Sequence, residues 1–241
     1  MPYLKRVDAL FQWIEKVNGP AWGDVLDAGT GEHSLAWLAG LPSRSLTAVT
    51  VETWRGAGLR EVAPKASLVV GQWTDPVLLH GRAFDQVLVD YVIGAIDGHA
   101  PYFQYAFLER LRPHCRGRVY LVGLEPPPRD GSVLDEVCRV RDANILLAGH
   151  RTYREYPRTL VADWLARAGY RVVDEVVFPN RVGARFVNGQ LDVARRKLPL
   201  IHDDVLRAAM DRHIEALRAR ALDLGETTWG EDYVIAAEVG L

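Results

Sequence analysis

The stretch Val25-Leu26-Asp27-Ala28-Gly29-Thr30-Gly31-Glu32-His33-Ser34 constrains this chain most. An apolar strand run ends in an acid, and two glycines follow one residue apart. A helical pattern then opens, with Leu35, Leu38 and Ala39 at helical spacing. A backbone that turns this sharply from strand to helix needs residues without a Cβ. The turn exposes amides of the first helical turn above the strand end, an arrangement suited to a nucleotide-like ligand. As a bare pattern it selects no particular nucleotide.

The rest of the first half alternates. Residues 3–17 place Leu4, Val7, Leu10, Phe11, Ile14 and Val17 on one helical face, and Asn18-Gly19-Pro20 stops the pattern. Strands are expected at 24–28, 46–52, 67–70, 84–90 and 118–124, with helices from 32 to about 40, across 55–63 and across 101–111. Such alternation argues for a parallel sheet wound with helices on both faces. The second half breaks it. Helical segments at 132–148 and 158–168 precede a sixth strand at 170–178. An excursion over 179–230 then carries Leu206, Met210, Ile214, Leu217 and Ala221 on one helical face, before a last strand at 232–239. A parallel crossover needs one helix, so the 132–148 helix reads as an addition at the carboxyl edge of the sheet. The later excursion starts from the same edge. The expected organisation is one domain over 1–241, with a helix in 1–19 and lid-like insertions at 126–156 and 179–230.

Composition narrows the function classes. With 241 residues there is enough chain for one substantial core. A formal net charge of −2 gives no electrostatic case for nucleic acid or an anionic membrane as partner. Cys115 and Cys138 have neither metal-ligand spacing nor a disulfide framework, so a reducing cytoplasm is expected. No secretory signal or apolar span is visible, and no His/Asp/Glu clustering suggests a metal. A homodimer is left open.

With this order of features the chain resembles the class I S-adenosylmethionine-dependent methyltransferases. The resemblance implies an α/β fold: a doubly wound seven-stranded sheet of order 3-2-1-4-5-7-6, its last strand antiparallel, with helical insertions over the ligand edge. It also implies S-adenosyl-L-methionine as cofactor. The glycine turn matches the family's first motif, assigning Asp27, Gly29 and Gly31 to the methionine end. Glu52, 21 residues after Gly31, stands where the family places an acid on the ribose. Gly71-Gln72-Trp73-Thr74-Asp75 stands in the adenine-reading region, giving Gln72, Trp73 and Asp75. Strand four ends in Asp90 and Tyr91, near the reacting methyl. Four departures accompany the match. His33 replaces the usual third glycine, Gln72 replaces the adenine-reading acid, Asp90-Tyr91-Val92-Ile93 is not an Asn/Asp-Pro-Pro-Tyr motif, and Pro113 lacks a following double glycine. The third puts base or protein-amide methylation in doubt.

The acceptor side has two-sided readings. Methyl transfer from a sulfonium relies on in-line positioning, and a base is needed only if the acceptor must lose a proton. Asp90 and His99 are the candidates, with His99 equally readable as a capping or exposed residue. Arg139 and Arg141 in the 132–148 helix, and His150 and Arg154 beyond it, are either a solvated, salt-bridged face or a patch that holds a carboxylate or phosphate. Asn188, in Arg185-Phe186-Val187-Asn188, is a further wall candidate, as Tyr91 is. The expected activity is methyl transfer to a small, polar, anionic acceptor. The rivals are an aminopropyl transferase of the spermidine-synthase type, a nicotinamide-dependent dehydrogenase and a non-catalytic cofactor-binding protein. Loss of the third glycine and the closing antiparallel strand weigh against the dehydrogenase.

Overall fold

The computed structural model describes residues 8–240. Seven strands form one sheet: β1 (Asp24–Asp27), β2 (Ser45–Thr50), β3 (Ser67–Val70), β4 (Phe84–Asp90), β5 (Cys115–Leu124), β6 (Tyr170–Val182) and β7 (Thr227–Val239). Their order is β3-β2-β1-β4-β5-β7-β6. The first five run parallel, and β7 pairs antiparallel with both β5 and β6. This is the sheet that the resemblance implied. Among the described residues no helix is long and apolar enough to cross a membrane.

Alternation along the central strands makes two cores. Leu26, Val87, Val89, Val119 and Leu121 face α4 (Val92–His99), α5 (Gln104–Leu111) and α7 (Arg158–Arg167) through Ile93, Ile96, Phe107, Leu108, Val161 and Leu165. Val25, Leu88, Tyr120 and Val122 face the other way, onto α1 (Ala9–Asn18), α2 (Glu32–Ala39) and α3 (Gly56–Val62) through Leu10, Phe11, Ile14, Leu35, Leu38 and Leu59. Strands buried on both faces read as continuous apolar runs, which is why they are visible in the sequence. The Leu4 and Val7 positions of the expected first helix lie outside the described residues.

The second half differs from expectation in an informative way. α6 (Val133–Leu147) starts on its Ser132 cap, whose hydroxyl accepts from the Asp135 amide at 3.3 Å. The excursion holds two helices where one was expected: α8 (Ala184–Lys197) and α9 (Asp204–Arg220). Arg195-Arg196-Lys197 forms the last turn of α8. α6, α8 and α9 bury a third core among themselves, with Leu134, Val137, Val140, Val187, Leu191, Ala194, Ile214 and Leu217. The apolar stripes of these helices satisfy one another, so they form a small three-helix unit beside the sheet edge. β6 and β7 extend beyond the expected ends to reach it, and Val182 and Trp229 pack into its core.

Candidate functional site

The β1–α2 turn is fixed from below. Asp27 is fully buried at the end of β1, and its Oδ2 accepts from the Ser34 hydroxyl at 2.9 Å. The Ser34 oxygen in turn accepts from the Gly31 amide at 3.3 Å, so strand end, turn and helix start share one chain of hydrogen bonds. Gly29 is required by close approach: a Cβ there would lie 2.5 Å from Cγ2 of Val92. At Gly31 a Cβ would meet nothing within 4 Å, because that side of the turn opens on a cavity. His33, where a third glycine was expected, lies against Phe11 of α1 with ring centres 5.2 Å apart. Its side chain serves the α1–α2 contact and leaves the turn intact.

The cavity has a volume of about 480 Å³, within the roughly 300–1,000 Å³ of small-molecule sites. It lies across the carboxyl ends of β1, β2 and β4, where doubly wound sheets place their ligands. Gly29, Thr30 and Gly31 line one part, Glu52 the end of β2, Gly71 to Thr74 the end of β3, and Asp90 to Val92 the end of β4. Glu52 lies two residues past the observed end of β2, before the short helical turn Thr53–Arg55. Ala95, Ile96, Ala100 and Phe103 supply an apolar side.

Two features of this wall were not expected from the sequence. The first is α4 itself, which lies between the strand expected at 84–90 and the helix expected at 101–111, where no element is expected. His99 occupies its last turn, on the cavity wall, and its carbonyl accepts from Gln72 Nε2 at 3.2 Å. The second is the strap formed by residues 150–157, which crosses α4. A Cβ on Gly94 would lie 2.5 Å from Glu155 Oε2, and one on Gly98 would lie 2.8 Å from the Tyr153 ring. The Arg154 amide donates to the Gly94 carbonyl at 3.1 Å. Glycines four apart on one helix face thus let the strap lie directly on α4. That placement brings Tyr153 and Glu155 onto the cavity wall. The pair of glycines is the signal in the sequence for both.

Among the described residues the carboxylates Glu52, Asp90 and Glu155 line the cavity. Burial pushes the Asp90 carboxyl up to about 7, helped by the nearby charges of Asp27, Asp8 and Asp232. Burial likewise pushes Glu155 up to about 7, with Arg141 pulling the other way, and Asp27 up to about 6 against the hydrogen bonds it accepts. Asp90 Oδ1 is buried and receives no hydrogen bond from the described residues, and the same holds for Asp27 Oδ1. Tyr91 stands in the left-handed region (φ 53°, ψ 18°) between β4 and α4. Its amide donates to Val122 O at 3.0 Å, and its hydroxyl lies near the Asp232 carboxyl. A strained non-glycine residue at a strand end over a cavity is a common mark of a functional position.

No protein-family model matches the sequence, and no curated protein matches it. Solved structures do match. One is a candidate methyltransferase from Bacillus halodurans, with a TM-score of 0.64 over 97% of this chain and 99% of its own, at 13% identity. The chain has the class I methyltransferase fold. A second match is the 1,6-didemethyltoxoflavin-N1-methyltransferase of Burkholderia thailandensis, solved with 1,6-didemethyltoxoflavin and S-adenosylhomocysteine. It has a TM-score of 0.53 at 18% identity, over 98% of this chain and 78% of its own. A third is SpnF, a [4+2]-cyclase, with a TM-score of 0.55 at 14% identity, over 96% of this chain and 80% of its own. The class I methyltransferase fold therefore leaves the activity to be argued from side chains.

The sequence-derived site residues divide cleanly. Gly29, Gly31, Glu52, Gln72, Trp73, Asp90, Tyr91 and His99 share the one cavity. Trp73 is largely buried, its indole N–H donating to Ala28 O at 2.6 Å, so only part of its ring reaches the wall. Asp27 lies beneath the turn and not on the cavity wall. Asp75 is not on the wall either; its carboxylate accepts from the Val77 amide at 2.9 Å and starts a turn.

None of Arg139, Arg141, His150, Arg154 or Asn188 lines the cavity. Each is engaged elsewhere. Arg139 meets Asp135 at 3.4 Å, and Arg141 bonds Asp142 and Gln190. His150 lies 2.9 Å from Lys197, Arg154 is 4.0 Å from the buried Asp97, and Asn188 accepts from Arg218. These side chains stitch the three-helix unit and the strap together. The arginine argument for an anionic acceptor loses its basis.

Proposed function

We propose that this chain binds S-adenosylmethionine in the cavity and transfers a methyl group to a small-molecule acceptor. One observation carries the reading: the glycine turn, Glu52, Gln72-Trp73 and Asp90-Tyr91, spread over more than 60 residues, line a single cavity. The wall suits the cofactor chemically. Open space beside Gly31 lets a ligand approach the backbone, and the Glu52 carboxylate can accept from paired ribose hydroxyls. The apolar side of Ile96, Ala100 and Phe103, with the exposed part of Trp73, suits a flat base, and Gln72 offers it an amide. When bound, the cofactor supplies an electrophilic methyl carbon on sulfur. The chain's own part is positional: Gly29 and Gly31 admit the donor, Glu52 fixes its rotation, and Asp90, Tyr91 and Glu155 face the reacting end. Tyr153 and Glu155, lying over α4, roof that end against water.

Calorimetric titration with S-adenosylhomocysteine tests this reading. The expected result is saturable binding that Glu52→Ala weakens by about tenfold or more, the worth of a charge-assisted hydrogen-bond pair. Unchanged affinity in that variant would remove the ribose assignment, and absence of binding to the unaltered protein would remove the cofactor. A second reading is favoured by the acids on the wall: aminopropyl transfer from the decarboxylated donor. Turnover of that donor with a diamine, and none with S-adenosylmethionine, would put it first.

A further inference from the structure

We infer that the acceptor is a basic amine, bound as its cation against Asp90 and Glu155. The inference rests on the methyl-transfer reading and names the substrate class of the same cavity. Its first support is the charge on the wall. Asp90 and Glu155 line the cavity, and among the described residues its lining holds His99 but no lysine or arginine. An anionic acceptor would have to lie against Asp90 and Glu155, where the opposing charge, Arg141, is set off the wall, whereas a cation is attracted to them.

The second support is hydrogen bonding. Asp90 Oδ1 is buried and receives no hydrogen bond from the described residues, and the half-buried Glu155 stands on the same cavity wall with Oε2 against α4 at Gly94. Buried carboxylate oxygens are normally paired, and an ammonium group brings two or three N–H donors and the compensating charge together.

Titration is consistent with this. Facing Asp90 are Asp27, Asp232, Asp8 and Tyr91; facing Glu155 are Arg141, Asp142 and Asp232. Both carboxyls stand near 7 in the free protein, and a bound cation pulls them down by restoring the charge balance that burial removes. A nitrogen must present a lone pair to accept a methyl group. The ammonium proton passes to a carboxylate oxygen, leaving the neutral amine, and the carboxyl returns that proton to solvent. A carboxyl that titrates near neutrality can do both.

The test is a binding experiment on full-length protein saturated with S-adenosylhomocysteine. Benzylamine and agmatine are titrated against their neutral and anionic counterparts, benzyl alcohol and benzoate, in the unaltered protein, Glu155→Gln and Asp90→Asn. The expected result is that the amines bind and benzoate does not, and that each amide variant weakens amine binding about tenfold or more. Amine binding by the unaltered protein should also release protons, seen as a dependence of the heat on buffer ionisation. Benzoate binding as tightly as the amines, or amine affinity unchanged in both variants, overturns the inference. Saturation with S-adenosylhomocysteine is measured first, so its failure marks loss of the cofactor reading and not of the acceptor class.

Discussion

Replacing Glu155 by glutamine tests the strap's electrostatics through stability alone, with no ligand present. The carboxyl rises from an ordinary 4.5 to about 7, chiefly because burial disfavours its charge. A rise of this size is worth about 3 kcal/mol between the two protonation states. The sign follows from proton linkage. Because the folded pKa is the higher one, the folded state holds a proton that the unfolded chain gives up between pH 4.5 and 7. Folding is penalised progressively over that range and fully above it. Below pH 4.5 the group is neutral in both states and the penalty vanishes. The amide never ionises, so any cost of burying it is constant with pH. The stability of Glu155→Gln relative to the unaltered protein should therefore improve by about 3 kcal/mol from pH 4 to pH 8, which for a chain of this length is about 6–12 °C in Tm. Urea unfolding at half-unit pH intervals measures it. Asp27 and Asp90 remain in both proteins, so their own titrations cancel in the difference. Parallel curves for the two proteins, offset by a constant, would refute the burial argument.

The strap's seat and the arginines give further tests. Gly94→Ala puts a methyl group 2.5 Å from the Glu155 carboxylate, the movable end of its side chain. Stability should change by less than about 1 kcal/mol, because helix propensity gains what the contact loses. Amine affinity should fall while S-adenosylhomocysteine affinity holds, as separate titrations will read. Arg139→Ala should leave acceptor affinity within about twofold, since its partner is Asp135 and that pairing is exposed on the arginine side. Leu191→Ala removes a fully buried side chain from the three-helix core and should cost about 2–5 kcal/mol there. Hydrogen exchange should then quicken in α6, α8 and α9 while the β1–α2 turn keeps its protection.

The donor half of the cavity was legible in the sequence because its signals are local. Gly29 and Gly31 follow a strand, Glu52 follows the next, and each strand end reaches the same edge by topology alone. The acceptor half was not, for two reasons. α4 carries Gly94 in its first turn and Asp97-Gly98-His99 at its end, a composition that reads as loop. Its helical state comes from Ile93 and Ile96 packing on the sheet. α8 was missed although Val187, Leu191 and Ala194 stand at i, i+4 and i+7, because the Asn188-Gly189-Gln190 between them holds two weak helix formers and reads as loop. The arginines misled because their partners are remote: Arg154 meets Asp97 and Arg141 meets Gln190, contacts that no spacing announces. Glu155, flanked by Arg154 and Tyr156, differs from any surface acid only by what lies beneath it.

The route of the chain through the strap has a mechanical consequence. The strap leaves the end of α6, in the three-helix unit, and enters α7, which is packed on the sheet. Tyr153 and Glu155 thus hang on a tether whose two anchors belong to separately packed cores. A tilt of the helical unit would load the tether against the Arg154–Gly94 and Arg151–Asp97 bonds that seat it on α4, while the turn at Gly29 and Gly31, anchored in the sheet, would feel no such load. One end of the cavity is thus part of the frame, and the other is a strap pinned to the frame at its middle and to the helical unit at its start.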